Sequence, residues 1–472
     1  MDTVSQMRLF MEPRSVAVVG ATRQSGSDSF NIVQRLTGHG YKGRVYPVNP
    51  RASEILGIKA YPTIGDVPEK VDLAVIPVWE RYAVPDLLKQ CIDAGIKAVV
   101  VVTQGFADGD AEGRKLQDKM LAMARESGTR ILGPNSLGVA NAFTGLNTSF
   151  VPSDMIKVPI GVICQSGLFF QNLRSLNPLG KGIDVANGCD VHFCEALEYF
   201  EQDPDTKVIL LHVEGLKDGK RFVQTASRVS RKKPIIALKT ARTETGARAA
   251  QSHTGSLAGS VEVMRGALKQ SGVVRASDVE EAEDLVKAFV RLPLMKGRRV
   301  GILSISGGAG VMQVDACSDY GLKLARLSPE TQAGLREHLP AWMDTTNPLD
   351  LWPVGVHSGT SLSETAMACL SKVCPDPNVD GVAYTMGTVF LEEGLRVARS
   401  IRELMDTLDK PVCWWSGTGS RVVHEEELEK EGVVIFPSGE RAIRALGKLN
   451  DYWQFLQESC KASRQSVMTH DR

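Results

Sequence analysis

Gly161-Val162-Ile163-Cys164-Gln165-Ser166-Gly167 is an apolar, β-branched run that breaks at a glycine turn and leads into a helical stretch from Leu168. The same arrangement recurs on either side of it. Val16-Ala17-Val18-Val19-Gly20 leads into Ala21-Thr22-Arg23, and Val300-Gly301-Ile302-Leu303-Ser304-Ile305-Ser306-Gly307-Gly308 leads into a helix from Ala309. Further apolar runs alternate with amphipathic helices: Leu73 to Val78, Ala98 to Thr103, Pro234 to Lys239, Val382 to Met386 and Pro411 to Trp415. Strands that are apolar throughout must be covered on both faces. Spaced by helices, they predict an α/β chain of doubly wound parallel sheets.

At 472 residues the chain is long enough for about three domains. Turn formers and charge put the divisions at 1–150, 151–296 and 297–460, with a polar tail over 461–472. The 43% of hydrophobic residues can fill sizeable cores. Charge is balanced, 55 basic against 55 acidic residues, which argues against a nucleic-acid partner. The nine cysteines form no CxxC pair and read as reduced thiols. The start has no basic region followed by an apolar run, and no stretch reaches the ~18 apolar residues of a membrane span. A soluble, cytoplasmic protein with no membrane contact is expected.

Two places carry chemistry. Gln251-Ser252-His253-Thr254-Gly255-Ser256-Leu257-Ala258-Gly259 sets one histidine among small residues, with glycines that permit unusual backbone angles. Alone it reads first as a solvent-exposed histidine in a turn. Upstream, the Gln165-Ser166-Gly167 turn opens a helix, whose free N–H groups and dipole suit an anion. Val208 to Gly215 is a buried-strand pattern that ends at the carboxylate of Glu214. A mobile histidine, an anion-binding helix start and a carboxylate suit a phosphohistidine site. His192 and His212 lack a third ligand at paired spacing, so no metal site is expected.

The first segment has the outline of a nucleotide site. Gly20-Ala21-Thr22-Arg23 follows a strand, although the G-x-G-x-x-G spacing is missing. The second strand ends in Asn49-Pro50-Arg51, where an NAD site usually places a carboxylate for the ribose. Arg51 tolerates a phosphorylated ribose. That favours coenzyme A over NAD and leaves NADP open. Gln104 and Gly105 lie at another strand end, and Asn135 sits in the Gly133 to Gly138 hexapeptide that closes the segment.

Taken in order, these stretches resemble the α subunit of the NDP-forming acyl-CoA synthetases, the ADP-forming acetate–CoA ligase type of the succinyl-CoA synthetase superfamily. The resemblance is carried by Ser15 to Arg23, Tyr46-Pro47-Val48-Asn49-Pro50, Gly133 to Gly138, Gln165-Ser166-Gly167, Leu211 to Gly215, Ser252 to Gly259, Gly307 to Val311 and Thr346 to Leu351. It implies a Rossmann-like CoA-binding domain followed by two flavodoxin-like domains, the second of them making subunit contact. It implies that acid, CoA and ATP are interconverted with acyl-CoA, ADP and phosphate, by way of an acyl phosphate and a phosphohistidine. By motif position His253 is the phosphorylated residue and Glu214 its supporting carboxylate, while Gln165, Ser166 and Gly167 hold phosphate. Gly20, Ala21, Thr22, Arg23, Asn49, Arg51, Gln104, Gly105 and Asn135 are the expected CoA residues. ATP or ADP with Mg2+ is expected on an ATP-grasp β subunit, in a heterodimer or heterotetramer.

The chain departs from the family near the acyl group. Leu168-Phe169-Phe170-Gln171 replaces small residues after the phosphate turn. Asp184-Val185-Ala186-Asn187-Gly188-Cys189-Asp190 stands where the family has Ser-Leu-Gly-Asn-Lys-Ala-Asp. Phe169, Phe170, Asn187 and Phe193 are the expected walls of the acid pocket, so the acid need not be acetate. Trp79 is unusual beside the CoA edge. A CoA- or acyl-CoA-sensing module without chemistry is the alternative, and the retained His253, Glu214 and Gln165 weigh against it.

Overall fold

The computed structural model describes all residues except 27–29, 151–154, 168–179, 244, 247–260, 358–360, 388–389, 417–423 and 471–472. The chain divides into two compact units, Met1–Glu283 and Asp284–Arg472.

In the first unit the leading sheet is parallel throughout. Its strands lie in the order Arg44–Val48, Ser15–Val19, Leu73–Ile76, Ala98–Val101, Arg130–Leu132. Ser15–Val19, Leu73–Ile76 and Ala98–Val101 are buried along their whole length, as strands covered on both faces must be. The helices between them carry their own start signals. Ala111–Ser127 begins at Asp110, whose carboxylate accepts the Gly113 N–H at 2.7 Å, and ends at Gly128 with φ +67°.

The second sheet of this unit has the order Val274–Ala276, Ile235–Lys239, Val208–Val213, Ile160–Cys164, Lys181–Asp184, Gly138–Asn141, Leu146–Asn147. The first five strands are parallel, and the last two run antiparallel at the edge. Those two strands come from the chain before residue 150, so the first segment completes the sheet of the second. The N-terminal helix Thr3–Met11 also packs against the second segment. Its Met7, Phe10 and Met11 are buried in a core shared with helix Phe193–Gln202. In the same sheet the Lys181 ammonium is buried between Asp203 at 2.6 Å and Asp205 at 2.9 Å.

The second unit holds a parallel sheet ordered Lys323–Leu324, Arg299–Ser304, Gly381–Thr385, Val412–Trp415, Ile435–Phe436, with Leu349–Asp350 also pairing Arg299–Ser304. Gly307 to Gly310 opens helix Gly307–Asp319 behind the Ser306 cap, as a tight strand–helix turn. Among the described residues no helix is long and apolar enough to cross a membrane.

All three sequence motifs sit at one kind of place. Ser15–Val19, Ile160–Cys164 and Arg299–Ser304 each have strands added on both sides, so the chain changes direction at their carboxyl ends. Ligands gather at such switch points in open α/β sheets.

Candidate functional site

The first switch point opens into a cleft of about 790 Å³. Gly20, Ala21, Thr22 and Arg23 line it from the first turn, and Asn49, Arg51 and Gln104 line it from neighbouring strand ends. The turn is tight. Gly20 and Ala21 both donate their N–H to the Val48 carbonyl, at 2.9 and 3.1 Å. Gly20 has φ +93°, and a Cβ there would lie 2.3 Å from Val78 Cγ1, so glycine is required. The Asn49 side chain spends both ends on backbone: Nδ2 donates to the Ala21 carbonyl at 2.8 Å, and Oδ1 accepts the Arg51 N–H at 2.7 Å. Asn49 therefore shapes the cleft, and the exposed Arg23 and Arg51 supply its charge.

Gly105 and Asn135 lie outside that lining. Gly105 donates to Asp108 at 2.9 Å, and its carbonyl accepts Arg81 at 2.6 Å. Asn135 sits at φ +63° and donates its N–H to Thr103, which does line the cleft. Both brace the wall from behind. Sequence reasoning missed Phe30 and Phe150. Phe30 meets Trp79 edge to face at 5.7 Å and Phe150 at 4.9 Å, which makes an aromatic wall. Trp79 is 81% exposed and Phe30 53%. No periodicity marks an aromatic residue in a loop, and the one available signal was the oddity of Trp79. Two arginines, a hydroxyl and an aromatic wall fit a ligand with several phosphates and a purine, which is the chemistry of CoA.

The second switch point is built around Gln165. Its Oε1 accepts the N–H of Glu214 at 2.7 Å and of Gly215 at 3.0 Å, so the turn and the end of strand Val208–Val213 are stitched together. Its Nε2 is buried with no partner among the described residues. Ser166 and Gly167 follow, half-buried, at the corner. A Cβ at Gly167 would lie 2.5 Å from Leu137 Cδ1. The Glu214 carbonyl accepts the Lys239 ammonium at 2.8 Å. Burial holds the Lys239 pKa below its usual value, and the Glu214 charge acts the other way.

The Gly133 to Gly138 hexapeptide joins the two places. The Asn187 N–H donates to Pro134 and the Cys189 N–H to Gly133. The Asn187 side chain donates to Asp108 at 2.6 Å, and Asp108 in turn holds the Gly105 loop. Asn187 is thus a buried tie between the segments. Phe193 is not a pocket wall. It is fully buried at the start of helix Phe193–Gln202, edge to face with His192 and Phe222. Its aromatic character serves the core. His192 stays neutral, since burial pushes its pKa down to about 3. His212 faces Thr240 at 3.1 Å inside a strand. His253, Phe169 and Phe170 lie outside the described residues. Among the described residues no group of three or more His, Cys, Asp or Glu could hold a metal ion.

Comparison with known proteins agrees with this geometry. Residues 14–142 match the family described as CoA binding domain, 157–289 the succinyl-CoA ligase like flavodoxin domain, and 300–453 the Ligase-CoA domain. The α subunit of acetate–CoA ligase [ADP-forming] I from Pyrococcus furiosus is 36% identical over 454 residues, covering 94% of this chain and 97% of that one. Acetate–CoA ligase [ADP-forming] II from Archaeoglobus fulgidus is 35% identical over 95% of this chain and 67% of its own length. A solved structure from Ca. Korarchaeum cryptofilum, dinucleotide forming acetyl-coenzyme A synthetase 1 with phosphate and ADP, superposes with a TM-score of 0.85 at 34% identity, over 97% of this chain and 99% of that one. With a CoA-binding domain ahead of two succinyl-CoA ligase-type domains, and relatives of this length and identity, the chain belongs to the ADP-forming acid–CoA ligases, in the line of their α subunits.

Proposed function

We propose that this chain carries the acyl and phosphoryl half of an ADP-forming acid–CoA ligase, with His253 as the phosphoryl carrier. In the acyl-CoA direction a phosphate oxygen attacks the thioester carbon. The C–S bond breaks, the CoA thiolate leaves and takes a proton, and an acyl phosphate remains. An imidazole nitrogen of His253 then attacks phosphorus, the P–O bond to the acyl group breaks, and the carboxylate leaves. ADP finally takes the phosphoryl group from nitrogen and becomes ATP.

The observation that supports this reading most is the corner at Gln165. A buried amide fixes the phosphate turn against Glu214, in the same compact unit as the cleft. In the proposed roles Ser166 and Gly167 hold phosphate beside Gln165, and Glu214 orients the His253 ring and favours its charged form. Gly20, Ala21, Thr22, Arg23, Arg51 and Gln104 contact CoA, while Asn49, Gly105 and Asn135 shape that site. Phe169 and Phe170 stay proposed for the acid pocket. Divisions near residues 150 and 296 are proposed on the same footing. The nucleotide and its Mg2+ belong to a partner subunit with an ATP-grasp fold, and a cytoplasmic setting suits these substrates. The α-subunit names of relatives support a partner. The acid is open, since one relative is named for 4-hydroxybutyrate. Every relative named above is a ligase, which disfavours a purely sensing module.

The test is to incubate the full chain with acetyl-CoA and radiolabelled phosphate and look for acid-labile phosphate on the protein. His253→Ala should abolish the label and leave CoA binding intact. Undiminished label in that variant refutes the role of His253.

A further inference from the structure

Asp184 stands at a junction of the second sheet that none of the chemistry above uses. It closes strand Lys181–Asp184, opposite Cys164 in the parallel ladder and opposite Gly138 in the antiparallel one. The residue is 1% exposed. Oδ2 accepts the Leu137 N–H at 2.8 Å. Oδ1 accepts the Ala186 N–H at 3.2 Å and takes the Cys164 thiol at 3.8 Å. Its main-chain carbonyl accepts the Ser136 hydroxyl. One residue therefore grips the hexapeptide on one side and the segment that leads to Asn187 on the other.

The grip reaches the phosphate turn by two routes. Cys164 directly precedes Gln165. Gly167 lies so close to Leu137 that no Cβ fits between them. The place of Leu137 therefore sets how near the turn can come. On its far side the hexapeptide holds Thr103 through the Asn135 N–H, and Thr103 lines the cleft.

We propose that Asp184 is a positioning residue for phosphoryl transfer, its carboxylate setting the Gln165-Ser166-Gly167 turn against Leu137. The proposal rests on the reading of that turn as a phosphate site. A carboxylate offers acceptor sites to all three donors, whereas a carboxylic acid turns its own O–H toward one of them. The grip is complete in the ionised form alone. Burial pushes the Asp184 pKa up to about 7, while the hydrogen bonds from Leu137 and Ala186 pull it down. The titratable groups facing it are the Cys164 thiol, itself pushed up by burial, and the Glu214 carboxylate, which adds to the rise. The hexapeptide Gly-Pro-Asn-Ser-Leu-Gly brings no titratable side chain.

The experiment follows acid-labile labelling of the full chain by acetyl-CoA and radiolabelled phosphate across the neutral pH range, with CoA affinity measured by calorimetry. The parent's labelling rate should rise through a midpoint near that of Asp184. Asp184→Asn and Asp184→Ser should show a flatter rise, keeping only what phosphate and the His253 imidazole contribute, and label about ten- to a hundredfold more slowly, the cost of a misplaced reacting group. Their CoA affinity should stay that of the parent. Labelling equal to the parent's at every pH overturns the proposal. So does a loss of CoA affinity that accounts for the slower rate, or failure of both variants to fold. A parent that no acyl-CoA of a short-chain, hydroxyacyl and aryl series labels, or label that survives His253→Ala, removes instead the reading of the site.

Discussion

Gln165 Oε1 holds two successive backbone N–H groups, those of Glu214 and Gly215, at 2.7 and 3.0 Å. A single amide thereby completes the ends of two adjacent strands, one bearing the phosphate turn and the other the carboxylate. Gln165→Ala leaves both donors buried without an acceptor, at ~1–3 kcal/mol each. Denaturant unfolding should show a loss of about 2–4 kcal/mol. Histidine labelling should fall further than stability alone explains, because Glu214 is no longer fixed. Unchanged stability would mean that the bond contributes nothing.

The aromatic wall of the cleft gives a direct optical readout. Trp79 is exposed in the free chain, and stacking on a purine should quench its emission. CoA and adenosine 3',5'-bisphosphate should both quench, and 4'-phosphopantetheine should not. Trp79→Ala should weaken CoA by about 1–3 kcal/mol, the usual value of one stacked base. Arg51→Ala should weaken CoA by ~1.5–3 kcal/mol and leave dephospho-CoA nearly unaffected, since the lost contact is to the ribose phosphate. Equal losses for the two ligands would put Arg51 elsewhere on the molecule.

Asp184 should also leave a mark on stability against pH. Its pKa is higher in the folded chain, about 7, than the usual carboxylate value, because burial disfavours the charge. Folding therefore favours the protonated form. This contribution is full below the ordinary carboxylate pKa and is lost as pH rises through about 7. The loss is on the order of 4 kcal/mol at most. Asp184→Asn cannot ionise, so its melting temperature should gain on the parent's between mildly acidic and mildly alkaline buffer. Parallel curves for the two proteins would show that Asp184 does not titrate in that window.

Phe193 gives a prediction that separates packing from specificity. Phe193→Ala empties a site between His192 and Phe222 in the core and should cost ~3–5 kcal/mol. The ranking of acids used by the folded fraction should stay as in the parent. A broadened acid range at unchanged stability would return Phe193 to the pocket.

Much of the fold was legible because its signal is local. Val16–Val19 and Val162–Cys164 are apolar at every position, and that pattern can be read without knowing the partner strands. The turn at Gly20 and the corner at Gln165 were legible for the same reason, since each lies where a strand stops. What escaped depends on the rest of the chain. Nothing near residue 138 says that Gly138–Asn141 pairs with Lys181–Asp184, because pairing over that separation is a tertiary event. Phe193 was misjudged because an aromatic residue near a motif has the same letter whether it faces a ligand or the core. Asp184 passed as a mere departure from a family pattern. Its meaning comes from Leu137, Ala186 and Cys164, which the sequence does not place together.

The borrowed edge of the second sheet sets a timetable for synthesis. Gly138–Asn141 leaves the ribosome about forty residues before Lys181–Asp184, the strand it must pair with. At ~5–20 residues per second that is a wait of about two to eight seconds. Through that interval the nascent coenzyme domain trails a strand matched only by Leu146–Asn147, with Leu137 lacking the Asp184 carboxylate and Ser136 the Asp184 main-chain carbonyl that will later seat them. The hexapeptide that braces Thr103 at the cleft takes its final seat only after part of the following domain has emerged, so the coenzyme domain acquires its finished binding surface later than its own last residue.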